Sequence, residues 1–286
     1  MDYTQSNSYD THAGTGHRMH EDAKAIPTVW SAKDANSLIW SLMEVISAAG
    51  LAPLQFDANN PATYQILRNA IPLLAPGRFI GLRVFRTTQV YVETPGTKAI
   101  DVLGVGGGGA GGGSGTTASN QVSVGAGGGG GGWFRKRLTS NFSGANMVIG
   151  AAGVGAPASN GGAGGTTSFG TYSASGGGGG SFGVQSVNTT TFPIGAGSPG
   201  AGAAADVWGS GMPGQYAMVA PSGQISGQGG ASILGAGAPW IYISGIGQGA
   251  ASPGAGGSGA AAPPSFGSNQ AGGNGGAGII LVGEFS

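Results

Sequence analysis

Fifty-eight of the 64 glycines in this 286-residue chain follow residue 103. The stretch opens as GVGGGGAGGGSG and continues to Gly278, broken by short apolar pieces. Ordering a residue's backbone costs about 1–2 kcal/mol, and glycine has the most freedom to lose. A chain with this much glycine is therefore either an unfolded linker or a fold whose backbones approach closely enough to offset that cost. Seven apolar pieces argue for the fold: 121–126, 133–142, 145–151, 166–174, 215–220, 240–246 and 278–286. They are rich in β-branched and aromatic residues and recur too regularly for a linker.

Charge narrows the classes. Formal net charge is zero, and of 22 charged residues only Arg135, Lys136, Arg137, Asp206 and Glu284 lie beyond Gly104. No basic field for nucleic acid is present. There is no cysteine, which removes disulfide frameworks and thiolate metal sites. No apolar run reaches the ~18–20 residues of a membrane span, so no membrane insertion is expected. The first 22 residues lack the apolar core of a secretory signal, and export by that route is not expected.

Along the chain, residues 1–29 read as a polar attachment arm. His12, His17 and His20 lie in it without helical i, i+4 spacing, and no metal is expected there. Residues 30–76 read as two short helices. In the first, Ser31 or Asp34 serves as cap, Leu38, Ile39, Leu42, Val45, Ile46 and Ala49 share one face, and Gly50 supplies the stop. In the second, Asn60 caps, Pro61 takes the first turn, Tyr64, Leu67 and Ile71 line one side, and Pro72 and Pro76 end the helix. Two such helices cannot enclose a core alone, so they are expected to pack on each other and on copies from other chains. Trp30 and Trp40 read as core or interface packing.

Residues 78–105 change to a period of two, with turns at Thr87-Thr88 and Pro95-Gly96. Two or three antiparallel strands are expected, and Ile279–Val282 is expected to pair with the strand around Ile100–Val105. The glycine runs fit two packings. One is a set of polyproline-II helices, three residues per turn, exchanging hydrogen bonds sideways. The other is bulged, glycine-rich β-structure. The fold class expected is α+β: a small N-terminal helical segment, then strands, then a glycine-rich β or polyproline-II sandwich over residues 77–286.

Catalytic chemistry needs converging acids, bases or nucleophiles. Beyond residue 104 there is no histidine and there are two carboxylates, Asp206 and Glu284, far apart in sequence. A non-catalytic chain without cofactor is expected. The Arg135-Lys136-Arg137 cluster reads as an outward strand face or a charge-protected edge. Aromatics in the glycine- and proline-rich loops suit surface recognition, because they bring contact area at low rotamer cost. The candidate contact residues are Phe182, Phe192, Asp206, Trp208 and Tyr216. Trp240, Tyr242 and Ile243 read as core.

Several stretches carry a family resemblance: SAKDANSLIWSLMEVISAAGLAP, NPATYQIL, TPGTKAIDVLGVGGGGAGGGSG, GGTTSFGTYSASGGGGG and GGAGIILVGEFS. In these, residues 28–286 resemble tailed-bacteriophage tail fibre proteins with a glycine-rich C-terminal domain. The resemblance implies a receptor-binding adhesin of the virion tail, made in the host cytoplasm. It implies a homotrimer attached to baseplate or fibre-shaft proteins through residues 1–76. It also implies a bacterial surface receptor (glycan, pilus or outer-membrane protein), bound by variable loops carried on polyglycine-II helices.

Overall fold

The computed structural model describes residues 10–11, 18–19, 32–52, 60, 65–74, 77–187, 195–220 and 223–286. They fall into two compact units, Met1–Arg78 and Phe79–Ser286.

In the first unit β1 (Asp10–Thr11) pairs antiparallel with β2 (Arg18–Met19). Helix α1 spans Ala32–Ala48. Gly50, at φ 71°, ends it: its N–H meets the Ser47 carbonyl at 2.9 Å and the Leu51 N–H meets the Ile46 carbonyl at 3.2 Å. This double bond pattern satisfies carbonyls that the helix leaves open. Helix α2 spans Ile66–Leu74 and runs two residues past Pro72, where the sequence had placed the stop. Proline withholds one N–H from the ladder, and a loss this close to the C-terminus leaves the earlier turns intact. The buried positions are Ile46 on α1 and Ala70 on α2. Ile71, expected on the packed side, is exposed, and so are Leu38, Ile39 and Leu42. Trp40 is 75% exposed and is not core of this chain. Trp30, Pro61, Tyr64, Pro76 and the three histidines lie outside the described residues.

The second unit begins with β3 (Phe79–Phe85), β4 (Gln89–Val90) and β5 (Ala99–Val105). Gly96, at φ 90°, takes the turn before β5, and the Thr97 N–H reaches the Thr94 carbonyl. Then follow β6 (Gln121–Val124), β7 (Trp133–Leu138), β8 (Asn146–Val148), β9 (Thr167–Phe169) and β10 (Tyr172–Ala174). The later strands are β11 (Ser186–Val187), β12 (Gly202–Ala203), β13 (Val207–Gly209), β14 (Met218–Ala220), β15 (Gly223–Ile225), β16 (Ala261–Ala262) and β17 (Ile279–Phe285). All pair antiparallel.

One five-stranded sheet has the order β13-β7-β5-β17-β3, and a second has β12-β10-β9-β8-β4. The C-terminal strand lies inside the first sheet. Ile279 faces Val105 and Val282 faces Val102, so the strand pairing expected from sequence is present, and β3 covers the other side. Both sheets feed one core. Ile100, Val102, Phe134, Ile280 and Val282 come from the first, and Met147, Phe169 and Ala174 from the second. Tyr91 sits at its centre, edge-on to Phe85, Phe142 and Phe169.

Between this core and the far loops stands the glycine array. The N–H groups of Gly106, Gly109 and Gly112 donate to Gly132, Gly129 and Ala126. Those of Gly107, Ala110 and Gly113 donate to Gly165, Gly162 and Ser159, and those of Gly108, Gly111 and Ser114 to Gly276, Gly273 and Gln270. Partner segments thus recur every third residue, which is the repeat of a polyproline-II helix. The carbonyls of the same stretch accept from three further segments, through Gly177, Gly180 and Gly183, through Gly257 and Ala260, and through Gly153. The central helix 106–114 therefore has six neighbours, a hexagonal surrounding. Residues 125–132 repeat the pattern with their own six. Such spacing leaves no room for side chains: a Cβ on Gly109 would lie 2.0 Å from the Gly178 oxygen, and one on Gly128 2.3 Å from that of Gly109.

Strands β5, β7 and β17 run directly into or out of these helices, so the sheets close one end of the array. At the opposite end Ser114 bridges Gly183 and Gln270, and the loops depart. A second, smaller core of Val122, Val124, Ala217, Val219 and Ala261 lies there, with Ile241 packed on it.

Candidate binding surface

The loop end carries a set of exposed apolar side chains with no charged residue among them. Hairpin β14–β15 pairs Met218 with Ile225, and Ile225 bridges Tyr242. Ser226 and Ile241 are joined twice: the Ser226 N–H donates to the Ile241 carbonyl at 2.9 Å, and the Ile241 N–H to Ser226 Oγ at 2.7 Å. Ile241 thereby points to the small core, and its neighbours Trp240 and Tyr242 point away, 52% and 58% exposed. Alternation would return Ile243 to the inside. Instead Ile243 adopts φ 66°, a conformation that a β-branched residue rarely takes. Buried Gln224 holds it there, its side-chain Nε2 donating to the Ile243 carbonyl and its backbone carbonyl accepting the Ile243 N–H. The result is a third consecutive outward position from Tyr242 to Ser244.

Trp240, Tyr242 and Ile243 are therefore surface residues, not the core expected from sequence. The continuous apolar run WIYI signals a strand buried on both faces, but only one face has anything to pack against. Tyr216, Met218, Ile225 and Ile246 are also exposed. Strain kept at an exposed position by a buried amide is a feature of recognition sites more than of scaffolds.

The candidate contact residues do not converge. Tyr216 is exposed at the loop end, and half-buried Phe182 lies there too, its N–H on Asn160 Oδ1 at 2.7 Å and its ring beside Gly115. Asp206 and Trp208 sit at the sheet end. The Asp206 carboxylate accepts from Lys136 Nζ at 2.5 Å and from the Arg137 N–H at 3.0 Å, while Trp208 faces Phe134 across β13 and β7. Phe192 lies outside the described residues.

All five charges beyond Gly104 belong to the sheet end. Arg135 is paired with Asp101, and the hydrogen bonds it donates to that carboxylate raise the guanidinium's pKa. Lys136 and Asp206 shift apart, up and down respectively, chiefly through their mutual hydrogen bond. The basic cluster is not an edge, because β7 lies between β5 and β13. Glu284 is buried, and burial alone would raise its pKa, but hydrogen bonds from Thr94, Tyr91 and Arg83 together hold it below the usual carboxylate range. The Tyr91 hydroxyl donates to it at 2.5 Å, and Arg83 Nη1 lies 3.1 Å away. Burial and that carboxylate keep the Tyr91 hydroxyl protonated.

A family described as the glycine-rich domain matches residues 86–283, which takes in the array, the loop end, the second sheet and the first sheet apart from β3 and the last residues of β17. The chain belongs to the glycine-rich domain family. A search of curated proteins returns no match. In this glycine-rich domain protein none of the described helices, all of them in the first unit, is long and apolar enough to cross a membrane. Among the described residues no group of three His, Cys, Asp or Glu side chains could hold a metal ion.

Proposed function

We propose that the chain is a non-catalytic tail fibre protein of a bacteriophage, whose loop end attaches the virion to the host cell surface. In this reading the two sheets and the array form a β and polyproline-II sandwich that presents the loops. Residues 1–76 join a homotrimer to baseplate or fibre-shaft proteins, with α1 at the trimer axis, where its exposed apolar residues find cover. The observation that carries the reading is the outward set Tyr216, Met218, Ile225, Trp240, Tyr242 and Ile243 on an uncharged end of the domain. Large rings among aliphatic side chains, with no charge to desolvate, suit a recognition surface.

The test is competition. Purified full-length protein should block adsorption of the phage to its host, and a Trp240→Ala, Tyr242→Ala double variant with unchanged melting should need about tenfold more protein or worse for the same block. The second reading is a structural tail component without receptor contact. It is favoured if the parent protein neither binds cells nor blocks adsorption.

A further inference from the structure

The sheet end holds a cleft of about 520 Å³ between the turn after β7 and the β9–β10 turn. Its floor is Phe169 and Ala145, and Leu138 and Tyr172 form apolar sides. Around this floor stand Thr139, Ser140, Asn141 and Thr171, none of whose side chains makes a hydrogen bond among the described residues. The facing turns are fixed in shape, with Asn141 at φ 57° and Gly170 at φ 55°, and the Gly170 N–H bonds the Asn146 carbonyl at 2.9 Å.

Charge here is balanced. Lys136 Nζ lies 5.4 Å from the centre of the Tyr172 ring and is paired with Asp206. The Arg137 guanidinium is turned to the other face of the sheet, over the Phe285 ring at 4.8 Å. The cleft therefore offers three hydroxyls and an amide, each able to donate and accept, around an apolar floor without net charge. Its volume is that of a small-ligand site.

We propose that this cleft binds a neutral saccharide. A sugar ring supplies hydroxyls for Thr139, Ser140, Asn141 and Thr171 and a C–H face for Leu138 and Tyr172. An anion would find the one ammonium already neutralised, and an apolar ligand would leave the rim groups unpaired at a cost. The site is at the opposite end of the array from Trp240 and Tyr242 and does not depend on the proposed cell attachment.

The experiment is an NMR titration of the ¹⁵N-labelled full-length protein with maltohexaose, chitotetraose and galactobiose, each to about 10 mM, weak binding being the expected range. At least one should move the amide signals of Ser140, Asn141, Thr171 and Tyr172 saturably and leave those of Trp240 and Tyr242 in place. The exposed, near-isosteric Thr139→Val, Thr171→Val double variant should weaken that binding about tenfold. The proposal is overturned if none of the three moves these signals, if inorganic phosphate alone does so, or if the variant, melting as the parent does, binds equally well.

Discussion

At the scale of the residue, Glu284 and Gly109 show the two ways this domain is made intolerant of change. Glu284 is ionised inside a core because three donors surround it. Its pKa is lower folded than unfolded, so the stabilisation it brings is complete above the ordinary carboxylate pKa and fades as pH falls through the folded value. Melting temperature should therefore drop on acidification below about pH 4.5. Glu284→Gln should lower stability by about 1–3 kcal/mol at neutral pH and flatten that acid limb. Calorimetry at several pH values checks both, and an unchanged acid limb would show that another carboxylate sets it. Gly109 is constrained by space. Gly109→Ala should cost about 3 kcal/mol or more, while Gly267→Ala, where a Cβ meets nothing within 4 Å, should lie within about 0.5 kcal/mol of the parent. Urea denaturation of the two variants separates them.

At the scale of the element, β17 closes the first sheet from the inside, bonded to β5 on one side and β3 on the other. Removing 279–286 should unfold or aggregate the second unit, and a truncated protein with unchanged melting would sink that assignment. This pairing was legible in sequence because IILV and IDVLGV are strand-forming segments rich in Ile and Val that bound the glycine stretch on either side. Other elements were hidden. Pro72 reads as a stop, but its lost bond falls near the end of α2. WIYIS reads as core because nothing in the letters reveals that Gln224 twists Ile243 outward. The array itself was half legible. Glycine content announces close packing, yet identical residues carry no information about which run neighbours which. The split of Phe182 and Tyr216 from Asp206 and Trp208 follows from that blindness, since it depends on which end of each helix a loop leaves.

At the scale of the whole second unit, charge is confined to one end of the array, while apolar side chains are exposed at both. Every charged residue beyond Gly104 is at the sheet end, and the loops of the other end carry none. A partner held by the loop end should then be held without long-range attraction. Binding of the protein to host cells should change by less than about twofold between 0.05 and 0.5 M salt, a range over which exposed ion pairs are strongly screened. A steep loss with salt, measured by cell pull-down, would place the contact at the sheet end instead.

The three-residue recurrence of the array also sets a rule for how such a gene can change. One codon inserted within a glycine run turns everything after it by a third of a revolution, handing each N–H to the wrong neighbour and driving the next side chain into a backbone. Three codons restore the angle and cost only a slide along the axis. Loops beyond the last shared bond obey no such rule. The reading frame of this domain is in effect double: triplets of bases for the ribosome, and triplets of residues for the packed interior, with free metre at the loops.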